Sequence, residues 1–371
     1  MPDPTSEPDT HFPASRARTI QVRVGDLAIG GDAPISVQSM AKCPTHDVAQ
    51  VLEQTRRVAA AGGQVMRVAV PDQRAADALP AILAESPLPV VADVHFDWRL
   101  AVAAVEAGVH KLRINPGNIG DRDVVARVVR ACVDYGIPLR VGVNAGSLER
   151  DLLARHGGPT AEALAESALR NADLVRELGL EQVVVSLKAA DVPRTVRANR
   201  LFARRCDLPL HLGITEAGLA DEGMVKSALG LGVLLAEGLG DTVRVSLTGP
   251  PEQEVRVARL ILRSLGLQPG PVLVSCPTCG RRQIDVEDLA REVAQLLAGV
   301  EEPIVVAVMG CEVNGPGEAC EADLGVAGGR ERAVIFRHGR VVRTVPSAEA
   351  LPALREELAD LLGRHGEQPS G

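Results

Sequence analysis

Short apolar runs rich in Val, Ile and Leu recur along the first two thirds of the chain, each followed by a segment whose apolar positions repeat at helical spacing. After an opening hairpin, TIQVRVGDLAIGG, the runs are ISVQSM (35–40), VMRVAV (65–70), PVVADV (89–94), HKLRIN (110–115), PLRVGV (138–143), QVVVSL (182–187), PLHLGI (209–214) and TVRVSL (242–247). Helical patterns such as HDVAQVLEQTRRVAAAG and DRDVVARVVRACVDYG separate them. Strands alternating with helices predict βαβ units on a parallel sheet. Eight such units fit a closed (β/α)8 barrel, for which about 250 residues is typical; a doubly wound open sheet would normally be shorter. The register breaks at Gly-Leu-Gln-Pro-Gly-Pro, 266–271, which reads as a linker. Beyond it come a Cys-rich turn, a helix over 285–298, the strand PIVVAV, a Gly/Pro loop, the strands DLGVAG, AVIFRHG and RVVRTV, and a closing helix AEALPALREELADLLGRH. The expected organisation is α/β: a disordered acidic, Pro-rich tail over 1–18, a barrel over 19–265, and a smaller α+β domain over 266–371.

Composition narrows the function classes. Hydrophobic residues make up 46% of the chain but aromatics only 2%, so the core must be Val, Leu, Ala and Ile. So few aromatics argue against a base-stacking nucleic-acid surface, and a net charge of −8 argues against a general polyanion binder. No run of about 18 apolar residues is present, so no spanning helix and no membrane partner are expected. The first residues, MPDPTSEPDTHF, read as neither signal nor transit peptide, and the expected localisation is cytoplasmic. Seven cysteines is an odd number for such a chain and predicts no disulfide framework. Cys43, Cys132 and Cys206 are scattered, whereas Cys276, Cys279, Cys311 and Cys320 are clustered, which favours metal or catalytic use.

Several barrel runs carry a cation where an apolar residue belongs: Arg67, Arg113, Arg140, Lys188 and Arg244. A charge inside a barrel strand costs roughly several kcal/mol unless paired. Each alone could pair with a buried acid. Five together in an acidic chain point instead to a phosphorylated small molecule, since active sites of this fold sit at the C-terminal ends of the strands. Polar residues close the same runs: Asp93 and His95, Asn115, Asn144, Glu216 after LHLGIT, and Ser246. Any one of these could simply cap the following helix.

Ser-Cys276-Pro-Thr-Cys279-Gly-Arg is a CxxC on a turn, which by itself suits structural zinc, a redox dithiol or an iron–sulfur cluster. The βαβ context of a thioredoxin-like dithiol is lacking. A zinc ribbon would prefer a second CxxC, but the next segment is Met-Gly-Cys311-Glu-Val-Asn-Gly-Pro-Gly-Glu318-Ala-Cys320. Two alternatives stay open on these residues: a barrel transferase acting on a pterin or phosphate ester with a structural zinc, and a non-catalytic zinc-binding module.

MGCEVNGPGEA followed by ADLGVAGG, with SCPTCGR upstream, resembles the 4-hydroxy-3-methylbut-2-enyl diphosphate synthase family. VQSM (37–40), KLRINPGNIG (111–120), RVGVNAGSLE (140–149), LHLGITEAG (210–218) and GDTVRVSLTGPPEQEV (240–255) extend the resemblance over nearly the whole chain. The chain lacks the large insertion of plant-type members, so it looks like the bacterial two-domain type. The resemblance implies a 4Fe-4S cluster held by Cys276, Cys279, Cys311 and Glu318. It implies reductive ring opening and dehydration of 2-C-methyl-D-erythritol 2,4-cyclodiphosphate to (E)-4-hydroxy-3-methylbut-2-enyl diphosphate, a step of the methylerythritol phosphate route to isoprenoids. The five cations with Asn115, Asn144 and Ser246 would hold the cyclic diphosphate, with Asp93 and His95 beside them and Glu216 as proton donor. An external electron carrier of flavodoxin or ferredoxin type and a head-to-tail homodimer are implied as well. One loop departs from the family: after VQSM it commonly reads Thr-Asn-Thr, and here it is Ala41-Lys42-Cys43-Pro44-Thr45.

Overall fold

The computed structural model describes residues 13–311, 317 and 319–365. It divides into two compact units at Gln268/Pro269, inside the expected linker. The first unit opens with a hairpin, β1 (Val22–Val24) and β2 (Leu27–Ile29). Eight parallel strands follow: β3 (Ser36–Met40), β4 (Val65–Ala69), β5 (Val90–Asp93), β6 (Lys111–Ile114), β7 (Leu139–Asn144), β8 (Val183–Lys188), β9 (His211–Leu212) and β10 (Thr242–Val243). Their order is β8-β7-β6-β5-β4-β3-β10-β9, and a parallel bridge from Val185 to Leu210 closes the circle between β8 and β9. The fold is the expected (β/α)8 barrel.

Between the strands run α1 (Val48–Ala60), α2 (Gln73–Glu85), α3 (Trp98–Glu106), the short α4 (Pro116–Ile119), α5 (Arg122–Tyr135), α6 (Arg150–His156), α7 (Ala161–Glu177), α8 (Val192–Ala203), α9 (Ala220–Ala236) and α10 (Pro251–Ser264). Asp47, Asp72, Asp97, Asp121, Thr160 and Asp191 start their helices by accepting a backbone N–H with the side chain, a satisfied orphan donor worth about 1 kcal/mol each. The apolar core lies between strands and helices and is built from Val, Leu, Ala and Ile, as composition requires. The hairpin seals the N-terminal end: Val22, Val24 and Ile29 pack on Val184.

The last residues of the expected tail, from Ala14 onward, are held against the barrel. Residues 1–12 lie outside the described residues. Ala14 and Ala17 donate to the Ala236 and Gly238 carbonyls, and Arg16 pairs with buried Asp241 at 2.7 Å. These bonds tie the segment from Ala14 onward to the barrel, because the carbonyls ending α9 need donors.

The second unit is a five-stranded sheet of order β11 (Val272–Ser275), β12 (Val305–Met309), β13 (Leu324–Gly328), β14 (Arg332–Arg337) and β15 (Arg340–Pro346). The first three strands are parallel and the last two antiparallel. Helices α11 (Val286–Leu296) and α12 (Ala350–His365) cover one face through Val286, Leu289, Val293, Leu354 and Leu358.

Candidate functional site

A cavity of about 820 Å³ is lined by the loops that follow the strands of the barrel. His95, Arg113, Asn115, Asn144 and Glu216 line it, together with Asn118, Ser147, Arg194 and Lys226, which the sequence reading did not single out. The remaining candidates, Arg67, Asp93, Arg140, Lys188, Arg244 and Ser246, do not line this cavity. Four of them, Arg67, Asp93, Arg140 and Lys188, are buried within the barrel.

Side chains in a strand alternate, so every second residue of a barrel strand points inward. That periodicity aims Arg113, Arg140, Lys188 and Arg244 at one another. Asp93 is their main buried counter-charge. Its Oδ1 accepts from Arg113 Nη1 at 2.9 Å, and its Oδ2 lies 3.6 Å from Arg67 Nε. Burial alone would raise the Asp93 pKa, but Arg67, His95, Arg113 and Arg140 more than offset it and hold the carboxyl well below its ordinary range. His95 Nε2 sits 2.9 Å from Arg113 Nη1 and 3.4 Å from Asp93 Oδ1, so it joins the same network. Arg67 also faces Met40 Sδ at 2.9 Å, and burial pushes it down to about 10. Arg140 donates to Gln38 Oε1 at 3.2 Å.

Glycine makes room for two of these cations. A Cβ on Gly142 would stand 2.5 Å from Arg113 Nε, and one on Gly213 would stand 2.7 Å from Lys188 Nζ. Lys188 is buried and held well below its ordinary pKa, first by burial and then by Arg140, Arg67, Arg244 and Arg113.

Glu254, at the start of α10, is a second buried acid paired with these cations and escaped the sequence reading. Its carboxylate accepts from Arg244 at 3.1 Å, Ser39 at 3.0 Å, Lys42 at 2.7 Å and the Leu247 N–H at 3.0 Å. Ser246 Oγ accepts from Arg244 Nη1 at 2.8 Å. The atypical loop therefore reaches the site through Lys42. The only sequence signal for Glu254 was its place in the motif GDTVRVSLTGPPEQEV. Asn115 donates to Ser147 Oγ at 2.8 Å and caps α4 through Gly117 N–H, while Asn144 ends β7 at the cavity wall. Glu216 is exposed to the cavity on a backbone with φ of 51°, an uncommon conformation for a non-glycine residue.

In the second unit, Cys276 directly follows β11 and Cys311 lies two residues past β12, its parallel neighbour. The Cys276 Sγ accepts the Gly310 N–H at 3.1 Å, and the Arg282 N–H bonds the Cys279 carbonyl at 3.1 Å. Backbone and side-chain hydrogen bonds from Arg281 pull the Cys279 thiol downward. Among the described residues, no three His, Cys, Asp or Glu side chains converge into a metal-holding group, and Glu318 lies outside the described residues. The donor chemistry nevertheless fits an iron–sulfur cluster. The thiols stand at neighbouring strand ends, and one already accepts the N–H···S bond that tunes such centres.

Fold and site define a class: a (β/α)8 barrel with a cluster of inward cations, joined to a cysteine-bearing α+β domain. Residues 19–259 match the model of the GcpE TIM-barrel domain, and residues 272–360 match that of the GcpE protein C-terminal domain. A curated relative from Geobacter sulfurreducens is 55% identical over 348 residues, spanning 94% of this chain and 99% of its own length. Relatives from Maridesulfovibrio salexigens (53%, covering 93% and 97%) and Natranaerobius thermophilus (50%, covering 94% and 98%) are alike. All three are named 4-hydroxy-3-methylbut-2-en-1-yl diphosphate synthase (flavodoxin). The chain belongs to the GcpE family, and with it to the iron–sulfur oxidoreductases. No helix among the described residues is long and apolar enough to cross a membrane.

Proposed function

We propose that this chain carries out the reductive ring opening and dehydration of 2-C-methyl-D-erythritol 2,4-cyclodiphosphate, giving (E)-4-hydroxy-3-methylbut-2-enyl diphosphate in isoprenoid biosynthesis. The observation that carries the reading is the charge balance of the barrel. Among the described residues, the ion pairs of Arg67, Arg113 and Arg244 reach two buried acids, Asp93 and Glu254, and Arg140 and Lys188 have none. A cyclic diphosphate supplies the missing negative charge, each charge-assisted bond contributing roughly 1.5–3 kcal/mol. Asp93 and Glu254 keep the arginine forks oriented before the ligand arrives, so little ordering is left to be done on binding. Asn115 and Asn144 offer neutral donors and acceptors at the cavity wall for the hydroxyl groups of the carbon skeleton. Glu216, an exposed acid on that wall, moves a proton to the carbon skeleton.

Cys276, Cys279 and Cys311, with Glu318, would hold a 4Fe-4S cluster, which supplies electrons one at a time when bound. The names of the relatives point to a flavodoxin as external reductant. The reading is tested by anaerobic purification with iron and sulfide counts, followed by turnover of the cyclic diphosphate with reduced flavodoxin. A brown protein that forms the open-chain diphosphate is expected. A colourless zinc protein inert toward that substrate would return the choice to a barrel transferase with structural zinc.

A homodimer is part of the same proposal. Helix α9 is apolar on nearly every face, and Val225, Leu229 and Val233, spaced by four, are all exposed, as is Leu260 on α10. A helix apolar all round is ordinarily buried, so a second copy covering this stripe is the natural reading. Leu229→Asp should give a monomer in sedimentation; an unchanged dimer would place the interface elsewhere.

A further inference from the structure

Two residues before Arg113 on β6, Lys111 is wholly buried inside the barrel, and its Nζ has no hydrogen-bond partner. In the closed circle of strands, β10 stands opposite β6. There Ser36, Thr242 and His211 are register partners on β3, β10 and β9, all fully buried. Their hydroxyls and both ring nitrogens are likewise unpaired within the protein. The barrel therefore has a polar floor beneath its cationic mouth, and Lys111 is the floor's only lysine.

The groups facing this amine are almost all cations. Arg67 on β4 and Arg140 on β7 act on it directly, and His211 on β9 lies in the same field; Arg113 on its own strand, Lys188 on β8 and Arg244 just after β10 complete the inward cations around them. The two carboxylates are already committed: Asp93 to Arg113 and Arg67, and Glu254 to Arg244 and Lys42. Guanidinium groups keep their protons at any ordinary pH, so the excess charge can be relieved only at the amines and the imidazole. Burial first, then Arg140 and Arg67, lower Lys111 to about 7, and burial with Lys188 and the other cations holds His211 well below its ordinary value.

We propose that Lys111 is a ligand-linked proton acceptor, neutral when the barrel mouth is empty and protonated when an anionic group fills it. This rests on the reading that a diphosphate binds among the cations above. The dianion offsets the arginine field that keeps the amine neutral, so ligand and proton favour each other's binding. Lys111 does not line the cavity; it is a positioning residue that adjusts the field of the site. The sign follows. Above about pH 7 the empty-state amine is neutral, binding takes up a proton, and affinity falls as pH rises. Below that pH the amine is already charged, and uptake vanishes.

The chain has four lysines, Lys42, Lys111, Lys188 and Lys226, so the full-length holoprotein carrying carbon-labelled lysine gives a countable set of Cε signals. Under anaerobic conditions, one signal absent from Lys111→Met should titrate near 7 and move upward by about two units or more with bound cyclic diphosphate. Calorimetry in buffers of different ionisation heat should show about one more proton taken up by the unsubstituted protein than by Lys111→Met at pH 8, and no difference at pH 6. If Lys111→Met does not fold, the signals of the unsubstituted protein decide alone. A Lys111 signal at the ordinary lysine value, or one unmoved by bound ligand, overturns the proposal. Equal proton uptake by the two proteins overturns it too. Absence of any binding heat from the cyclic diphosphate would instead overturn the substrate reading, and inorganic diphosphate then becomes the probe, judged by the same criteria.

Discussion

The barrel and the C-terminal domain place their chemistry in opposite ways. The barrel buries charge: Arg67, Asp93, Lys111, Arg113, Arg140, Lys188 and Glu254 all lie inside it. Among the described residues of the second domain no polar or charged side chain is buried, and its two apolar clusters are built from residues such as Val308, Leu324, Ile335 and Phe336. Its cysteines hang from strand ends, half-buried or exposed. In the barrel, therefore, stability and the proposed ligand binding draw on the same residues. In the C-terminal domain the core carries the fold and the loops carry the chemistry, so the two can be separated by mutation.

The largest expected effect tests that separation. Cys276→Ser should lose iron and all measurable turnover, because one proposed cluster ligand and the acceptor of the Gly310 N–H are altered. The domain should still fold, since the removed sulfur sits at the edge of a core of valines and leucines. Iron analysis and turnover, set beside thermal unfolding, check both halves. Loss of the second domain's fold would mean that the cluster, not the apolar core, holds it together.

Arg113→Ala should show the opposite behaviour. It strips Asp93 of its closest partner inside the barrel, leaving His95 at 3.4 Å and Arg67 at 3.6 Å. Breaking a buried ion pair from one side costs about 3–5 kcal/mol. Ligand affinity should fall together with barrel stability, while the iron content stays as it was. Denaturant unfolding and calorimetry on the same sample check this. A variant that loses affinity at full stability would show that Arg67 and His95 together satisfy Asp93.

Much of this was legible in the sequence, and the reason is periodicity. Valine-rich runs alternating with helical segments fix a parallel barrel, and cations such as Arg113 and Lys188 are conspicuous because they interrupt apolar runs. The same period of two, extended one step back, would have found the floor: Lys111 before Arg113, His211 before Gly213, Thr242 before Arg244. They went unnoticed because a polar residue at the start of a strand reads as ordinary edge chemistry. Glu254 was harder. It lies on a helix in an acidic stretch, Pro-Glu-Gln-Glu, and only the three-dimensional return of α10 to β3 and β10 makes it the partner of Arg244, Ser39 and Lys42. The contacts of Ala14 and Ala17 were hidden for a similar reason: the carbonyls that tie them down come from residues more than two hundred positions away.

A smaller effect separates the two regions by pH. Lys111 drops from 10.5 to about 7 in the folded barrel, and Lys188 is lowered as well. Between the folded and unfolded values the unfolded chain binds more protons, so stability rises with pH across that window. The ligand-free barrel should therefore gain stability from about pH 7 toward pH 10. Lys111→Met should flatten that slope. The C-terminal domain has no buried base among its described residues and should not share the trend. Chemical unfolding at several pH values, followed through the single tryptophan, Trp98 of the barrel, reads the first region on its own.

The smallest effect is an expected silence. Cys320 is one of the four clustered cysteines, yet it sits exposed on a turn whose flanking residues, Ala319 and Ala322, are buried. The turn is closed by the Ala322 N–H to the Ala319 carbonyl at 3.0 Å, and the His338 N–H bonds the Ala322 carbonyl at 3.0 Å. The backbone and the two alanines thus fix the turn without the thiol. Replacing sulfur by oxygen at an exposed position removes no core contact, and surface changes of this kind usually stay within about 0.5 kcal/mol. Cys320→Ser should keep its iron count, colour, turnover and unfolding midpoint. The proposed fourth ligand, Glu318, gives the contrast: Glu318→Ala should lower turnover and iron content together, because one iron loses its protein ligand. If Cys320→Ser bleaches while Glu318→Ala stays brown and active, the cluster is bound by four thiolates. The carboxylate reading of the fourth position then fails.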